Sequence, residues 1–174
     1  MAAKASVATR AFQGIRIEVD TSVSFDEVLN RLRGLMGNTS VPQIVALAKE
    51  PITQAEYVQK VQERFVGQSG FMLFHEIDHG GWLQKFGINR RTVRWILGNP
   101  LIAITMLRHD VTAGLFGPVE MLLVDQSEGR SSLTYVKPSS LMVVEGQSAT
   151  AQRGKGTRRQ VGRAGREGDN LAPR

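Results

Sequence analysis

The sequence contains no cysteine. That excludes disulfide staples, thiolate metal centres and a cysteine nucleophile. Aromatic residues are scarce, at 6% of 174 positions. Long apolar runs are missing as well. The most apolar stretch, Leu101 to Leu107, is interrupted by Thr105 and closed by Arg108, far short of the ~20 residues that span a bilayer. Met1 to Gln13 is polar and alanine-rich, without the apolar core of about 7–15 residues that a secretory signal carries. A soluble, cytoplasmic, bacterial-type protein with no membrane partner is expected. The chain also has no Walker loop, no nucleophile elbow and no HExxH metal motif, so no reaction is named by a motif.

What remains is ordinary globular composition, 41% apolar and 22% charged, in a chain long enough to build one core without staples. The net charge of +6 is unevenly spread. Between Gly146 and Arg174 lie seven basic residues (Arg153, Lys155, Arg158, Arg159, Arg163, Arg166, Arg174) against Glu167 and Asp169, a net +5. The rest of the chain is nearly neutral. Residues 146–174 have too few apolar side chains to offset the entropy of ordering, and are expected to form a disordered basic tail rich in Gly and Arg. Residues 1–13 are expected to be a flexible N-terminus, leaving 14–145 as a single domain.

Local patterns give that domain its elements. Gly14 to Asp20 alternates, with Ile15, Ile17 and Val19 on one side, which is the period of a half-buried strand. Ser24 to Glu27 reads as a capping box, followed by Val28, Leu29, Leu32, Leu35 and Met36 at helical spacing and a stop at Gly37-Asn38. Gln43 to Lys49 suits a short helix. Thr53 to Glu56 is a second capping box, and the helix after it carries Tyr57, Val58, Val61 and Phe65 on one face. Phe71 to Asp78 and Arg91 to Gly98 read as strands. Asn99-Pro100 starts a helix, with a capping residue followed by proline at the first helical position. Val119 to Asp125 and Ser132 to Lys137 form a hairpin around a polar turn. With hairpins dominant and no βαβ alternation, the expected fold class is α+β, an antiparallel sheet with helices packed on one face.

Two blocks carry a family resemblance. They are Ser69-Gly70-Phe71-Met72-Leu73-Phe74-His75-Glu76-Ile77-Asp78-His79-Gly80-Gly81-Trp82 and Arg94-Trp95-Ile96-Leu97-Gly98-Asn99-Pro100. Both resemble the bacterial and archaeal family called domain of unknown function 302 (DUF302), in which a strand ends Glu-hydrophobic-Asp and a Leu-Gly turn leads through Asn-Pro into a helix. Here the turn is shorter, lacking the residues, often including a cysteine, that usually separate Gly from Asn. Thr39 to Gln68 looks like an insertion, a helical segment over about 39–68. The resemblance implies a TATA-binding-protein-like fold in the order β-α-β-β-α-β-β, and it implies no activity. A shared fold would not imply DNA binding.

Several residues are candidates for chemistry. If the strand at Phe71 to Asp78 alternates regularly, Met72, Phe74, Glu76 and Asp78 share one face, and both faces begin apolar. Coverage by helices on one side, and by a partner subunit or the inserted segment on the other, would follow. The Glu76 and Asp78 carboxylates would then stand roughly 6–7 Å apart, a spacing used in acid–base catalysis. A structural ion pair between Glu76 and Arg94 is the simpler role. Catalytic candidates are Glu76 and Asp78 with His79 or His109. His75 and His79 lie about 13 Å apart along an extended strand, so no metal site and no cofactor are expected. More simply, His79 and Asp78 organise the turn and His109 ends a helix. Glu76, Arg94 and Asn99 are candidate ligand-binding residues, Asn99 because the free N–H groups of a helix start can hold an anion; its plain role is to cap the helix. Trp82 and Trp95 are expected to be core or interface anchors.

Two functions suit this set. One is a non-enzymatic module that binds a small ligand beside Glu76 and Arg94, or assembles as a homodimer through an apolar sheet face or helix surface. The other is an enzyme using Glu76 or Asp78 with His79 or His109, with or without a metal. Nucleic acid is expected at most weakly, through the Arg-Gly pairs of the tail.

Overall fold

The structure is a computed structural model that describes residues 5–7, 9 and 12–142. The expected tail at 146–174 lies outside these residues, as does part of 1–13.

In chain order the elements are β1 (Arg16–Thr21), α1 (Phe25–Leu35), β2 (Gly37–Asn38), α2 (Val41–Ala48), α3 (Gln54–Phe65), β3 (Met72–Asp78), α4 (Gly80–Leu83), β4 (Thr92–Gly98), α5 (Pro100–Leu107), β5 (Val119–Asp125), β6 (Ser131–Val136) and α6 (Pro138–Leu141). The fold is α+β. Six strands form one sheet in the order β1-β6-β5-β4-β3-β2. All neighbours are antiparallel except β2, which pairs parallel to β3 through Gly37↔Met72 and Asn38↔Leu73. Without the two-residue β2, the α2–α3 insertion and the four-residue α4, the order reduces to β-α-β-β-α-β-β, followed by the short α6.

Helix starts follow local chemistry. The Ser24 side chain accepts from the Glu27 N–H. Thr53 and Glu56 form a reciprocal capping box, as do Ser40 and Gln43 ahead of α2. Asn99 accepts from the Leu101 N–H and Pro100 follows it. Each satisfies N–H groups that a helix start leaves without partners.

The main core lies between α1 and one face of the sheet. Phe25, Val28 and Leu29 of α1 pack against Val93, Trp95 and Leu97 of β4 and Leu123 of β5. Burial of side chains this size contributes roughly 1.5–3 kcal/mol each before the entropy of ordering is subtracted. A second cluster sits at the β3 end, where Met72 packs with Leu47 of α2, Val61 of α3 and the half-buried Phe74 and Leu101. The inserted helices thus cover the apolar start of β3 on the side away from α1.

The register of β3 departs from the regular alternation expected for it. Met72 pairs with Gly98 and Leu73 with Leu97, but His75 pairs with Ile96 and Glu76 with Trp95. A bulge at Phe74 inserts one residue, and every side chain beyond it changes face. Glu76 and Asp78 therefore share the α1 face with Leu73, Trp95 and Val93, not with Met72 and Phe74. Arg94, opposite Ile77, points to the other face.

Candidate functional site

The bulge decides the partners of the charged residues. Glu76, placed beside Trp95 under α1, meets Arg33 from the last turn of that helix. Arg33 Nε donates to Glu76 Oε2 at 3.0 Å, and its Nη2 bonds Oε1. The indole N–H of Trp95, a residue 2% exposed, donates to the same Oε2 at 3.0 Å. The hydrogen bond to Glu76 raises the Arg33 guanidinium above its usual value. The expected Glu76–Arg94 pair is therefore absent. Arg94 instead reaches Glu120 on β5, with Nε 3.1 Å from Oε2, across the face that α1 leaves free.

The remaining candidates are spent locally. Asp78 Oδ1 accepts from the Gly81 N–H at 3.2 Å and shapes the turn after β3. His79 Nδ1 accepts from Trp82 Nε1 at 3.1 Å. The Trp82 ring stands edge-on both to His79 and to Phe86, with centroids 5.9 and 6.1 Å apart. His109 follows α5, beyond the other end of β4 from His79, and its backbone N–H bonds Met106. Glu76 and Asp78 do share a face, but each carboxylate serves a different contact. Among the described residues no three His, Asp or Glu side chains gather as a metal site would require.

Asn99 is 9% exposed. Its Oδ1 caps α5, and its Nδ2 donates to the Gly70 carbonyl at 2.8 Å, so the amide joins the start of α5 to the approach to β3. The capping role holds. Yet Asn99 also borders an apolar-walled cleft of about 630 Å³. Pro100, Ile102, Ala103 and Met106 of α5 form one wall. Phe71, Phe74 and Gly98 supply the floor, and Pro118, Val119 and Met142 close the far side. A Cβ on Gly98 would stand 3.0 Å from the Phe74 ring, so glycine there lets that ring lie across the strand. Phe74 keeps the face of Met72, and the bulge there turns only the residues after it, Glu76 among them, to the other side.

Polar groups are few in the lining. Tyr135, Lys137 and Ser139 stand at alternate positions along the end of β6 and into α6. Their backbone is tied down. The Lys137 N–H donates to Ile15 at 2.8 Å, and its carbonyl accepts from the Ser140 N–H and hydroxyl at 2.9 and 2.6 Å. Ser140 Oγ in turn accepts from the Ile15 N–H at 2.9 Å. Concave, mostly apolar walls with a few fixed polar groups are the usual composition of a small-molecule site. No local pattern in the sequence signals this cleft, since its walls come from five separate segments.

At the opposite end of the sheet, Asp26 in the first turn of α1 binds Arg91, with Arg91 Nη1 2.8 Å from Oδ2. This bond holds the Asp26 carboxyl below its usual range. The Arg91 guanidinium also lies over the Phe25 ring, 4.3 Å from its centroid, so this cation fastens α1 to the start of β4.

Sheet order, helix placement and the Glu-Ile-Asp and Leu-Gly-Asn-Pro segments define the class: an α+β domain with a mostly antiparallel sheet and an apolar cleft at the end of its second hairpin. A family model described as domain of unknown function DUF302 matches residues 47–167, and the chain belongs to that family. Among solved structures, an uncharacterized conserved DUF302 protein from Bacillus stearothermophilus is similar over 80% of each chain, at 15% identity and a TM-score of 0.44. No curated protein matches the chain. Among the described residues no helix is long and apolar enough to cross a membrane.

Proposed function

We propose that this chain is a cytoplasmic binding module whose cleft beside α5 takes a small, mainly apolar molecule. The cleft carries the reading: about 630 Å³ of apolar-walled space, within the range of small-molecule sites. It displaces the earlier expectation of a ligand beside Glu76 and Arg94, which occupy opposite faces of the sheet. Asn99 keeps a part in it, as the cap that fixes where α5 begins.

The neutral fluorophore N-phenyl-1-naphthylamine tests this reading. It is expected to bind the protein saturably with rising fluorescence. Ala103→Trp, which fills the cleft from the α5 side, is expected to weaken binding at least about tenfold, the effect of roughly 1.4 kcal/mol, while the far-ultraviolet circular dichroism stays unchanged. Equal binding by folded Ala103→Trp would remove the cleft as the site.

A second observation favours self-association. α5 is apolar at every position but Thr105, yet none of its eight residues is buried. Nearby, Val111 and Leu115 are 79% and 82% exposed. Contiguous apolar surface of this kind marks an interaction site, and a second copy of the chain is the occupant proposed. Light scattering is expected to show a dimer that Leu115→Asp converts to monomer. A parent protein that is monomeric at high concentration would dismiss this reading.

A further inference from the structure

The proposal of an apolar ligand says nothing of what its polar end carries, and the three polar residues at the edge of the cleft do. We infer that the cleft selects an amphipathic carboxylate, an aliphatic or aromatic body ending in one carboxyl group, which Lys137 holds. This rests on the cleft being the binding site.

Lys137 is the sole charged residue among the described residues that line the cleft. It has no acidic partner among the described residues. The acidic residues of the neighbouring strands are already paired, Glu120 of β5 with Arg94 and Glu18 of β1 with Arg16 at 2.6 Å. Tyr135 and Ser139 flank Lys137 with hydroxyls that make no hydrogen bond among the described residues, and both line the cleft. One ammonium and two hydroxyls thus belong to this edge of the lining, and no carboxylate does. The ammonium can only donate and each hydroxyl is free to do so. A carboxylate would use all three. An alcohol would use fewer and gain no charge pairing, and an ammonium ligand would meet like charge. The hydrogen bonds through Ile15 and Ser140 hold the Lys137 backbone before any ligand arrives, which lowers the ordering cost of binding. Behind this polar edge the walls are apolar apart from Asn99, whose amide is engaged with Gly70 and Leu101, and Met106 and Met142 can adjust to chains of different shape.

The test uses three ligands of one chain length, decanoate, decan-1-ol and decylammonium, each displacing N-phenyl-1-naphthylamine from the full chain. Decanoate is expected to displace the probe at about fivefold lower concentration than decan-1-ol, the size of a partly exposed charge pair, with decylammonium weakest. Lys137→Met is expected to erase the gap between decanoate and decan-1-ol. Equal displacement by all three in the parent would overturn the carboxylate and leave the apolar site standing. A probe that never binds would overturn both. A preference for decanoate that persists in Lys137→Met would place the anion elsewhere and reject Lys137 as its holder.

Discussion

Gly37→Ala is expected to destabilise the protein by about 3 kcal/mol or more, at the upper end of overpacking costs, measured by urea unfolding. Gly37 lies where the end of α1 crosses the end of α3. A Cβ there would overlap the carbonyl oxygen of Phe65 and stand 2.6 Å from its carbonyl carbon and 2.7 Å from the Gly67 nitrogen. A Cβ on Gly67 would in turn strike the Gly37 nitrogen and the Leu35 carbonyl. Both glycines donate their N–H groups to one acceptor, the Phe71 carbonyl, at 2.9 and 3.1 Å. The obstacles are backbone atoms, which cannot rotate away as a side chain would. Relief requires moving α3 off the sheet, which uncovers Met72 and Val61, both 0% exposed. Gly34→Ala, three residues earlier, is the control. It sits within α1 with nothing inside 4 Å of a new Cβ, and should stabilise by about 0.5–1 kcal/mol. A Gly37→Ala loss below 1 kcal/mol would show that the crossing is looser than the structure has it.

This crossing marks where the sequence stops informing. Gly37-Asn38 was legible as a helix stop, because helix ends are a local matter of periodicity and capping. The strands, the hairpin, the second capping box and the Asn99-Pro100 start were legible for the same reason, and the family resemblance sharpened the fold. That Gly37 must also admit a second glycine 30 positions later is a fact of tertiary approach. No local pattern carries it, since neither glycine has a positive φ to explain. The bulge at Phe74 was invisible in the same way. One inserted residue leaves the apolar composition of β3 intact and reverses the face of Glu76. The Glu76–Arg94 expectation failed there, and the partner turned out to be Arg33. A trace of that was present: Arg33 follows Phe25 by eight positions and Leu29 by four, on the flank of the stripe that α1 buries. A cation at that spacing signals an acidic partner beneath the helix, although it cannot say which one. The cleft was less legible still, because its walls meet only after the sheet closes.

Glu76→Leu is expected to cost about 2–3 kcal/mol of stability, and the source of that cost separates a structural carboxylate from a catalytic one. The ion pair with Arg33 is not the larger part. The two side chains are 47% and 27% exposed, and a pair so wet contributes at most about 1 kcal/mol. The larger part is the indole N–H of Trp95, which is buried and has Glu76 as its acceptor. Leaving such a donor without a partner costs about 1–3 kcal/mol. Trp95→Phe removes the donor with the ring's bulk largely kept, so in that background Glu76→Leu should cost only about 1 kcal/mol. The difference, about 1–2 kcal/mol of coupling in a double-mutant cycle, is the quantity to measure by urea unfolding. Glu76→Gln should fall between parent and Glu76→Leu, since its amide oxygen still accepts from Trp95 but carries no charge for Arg33. A carboxylate kept for chemistry predicts another pattern: little or no loss of stability in any Glu76 variant, and no coupling to Trp95. With the coupling present, Glu76 is the clasp between α1 and β4. A reaction would then have to be sought at the cleft, on the other side of the Phe74 bulge.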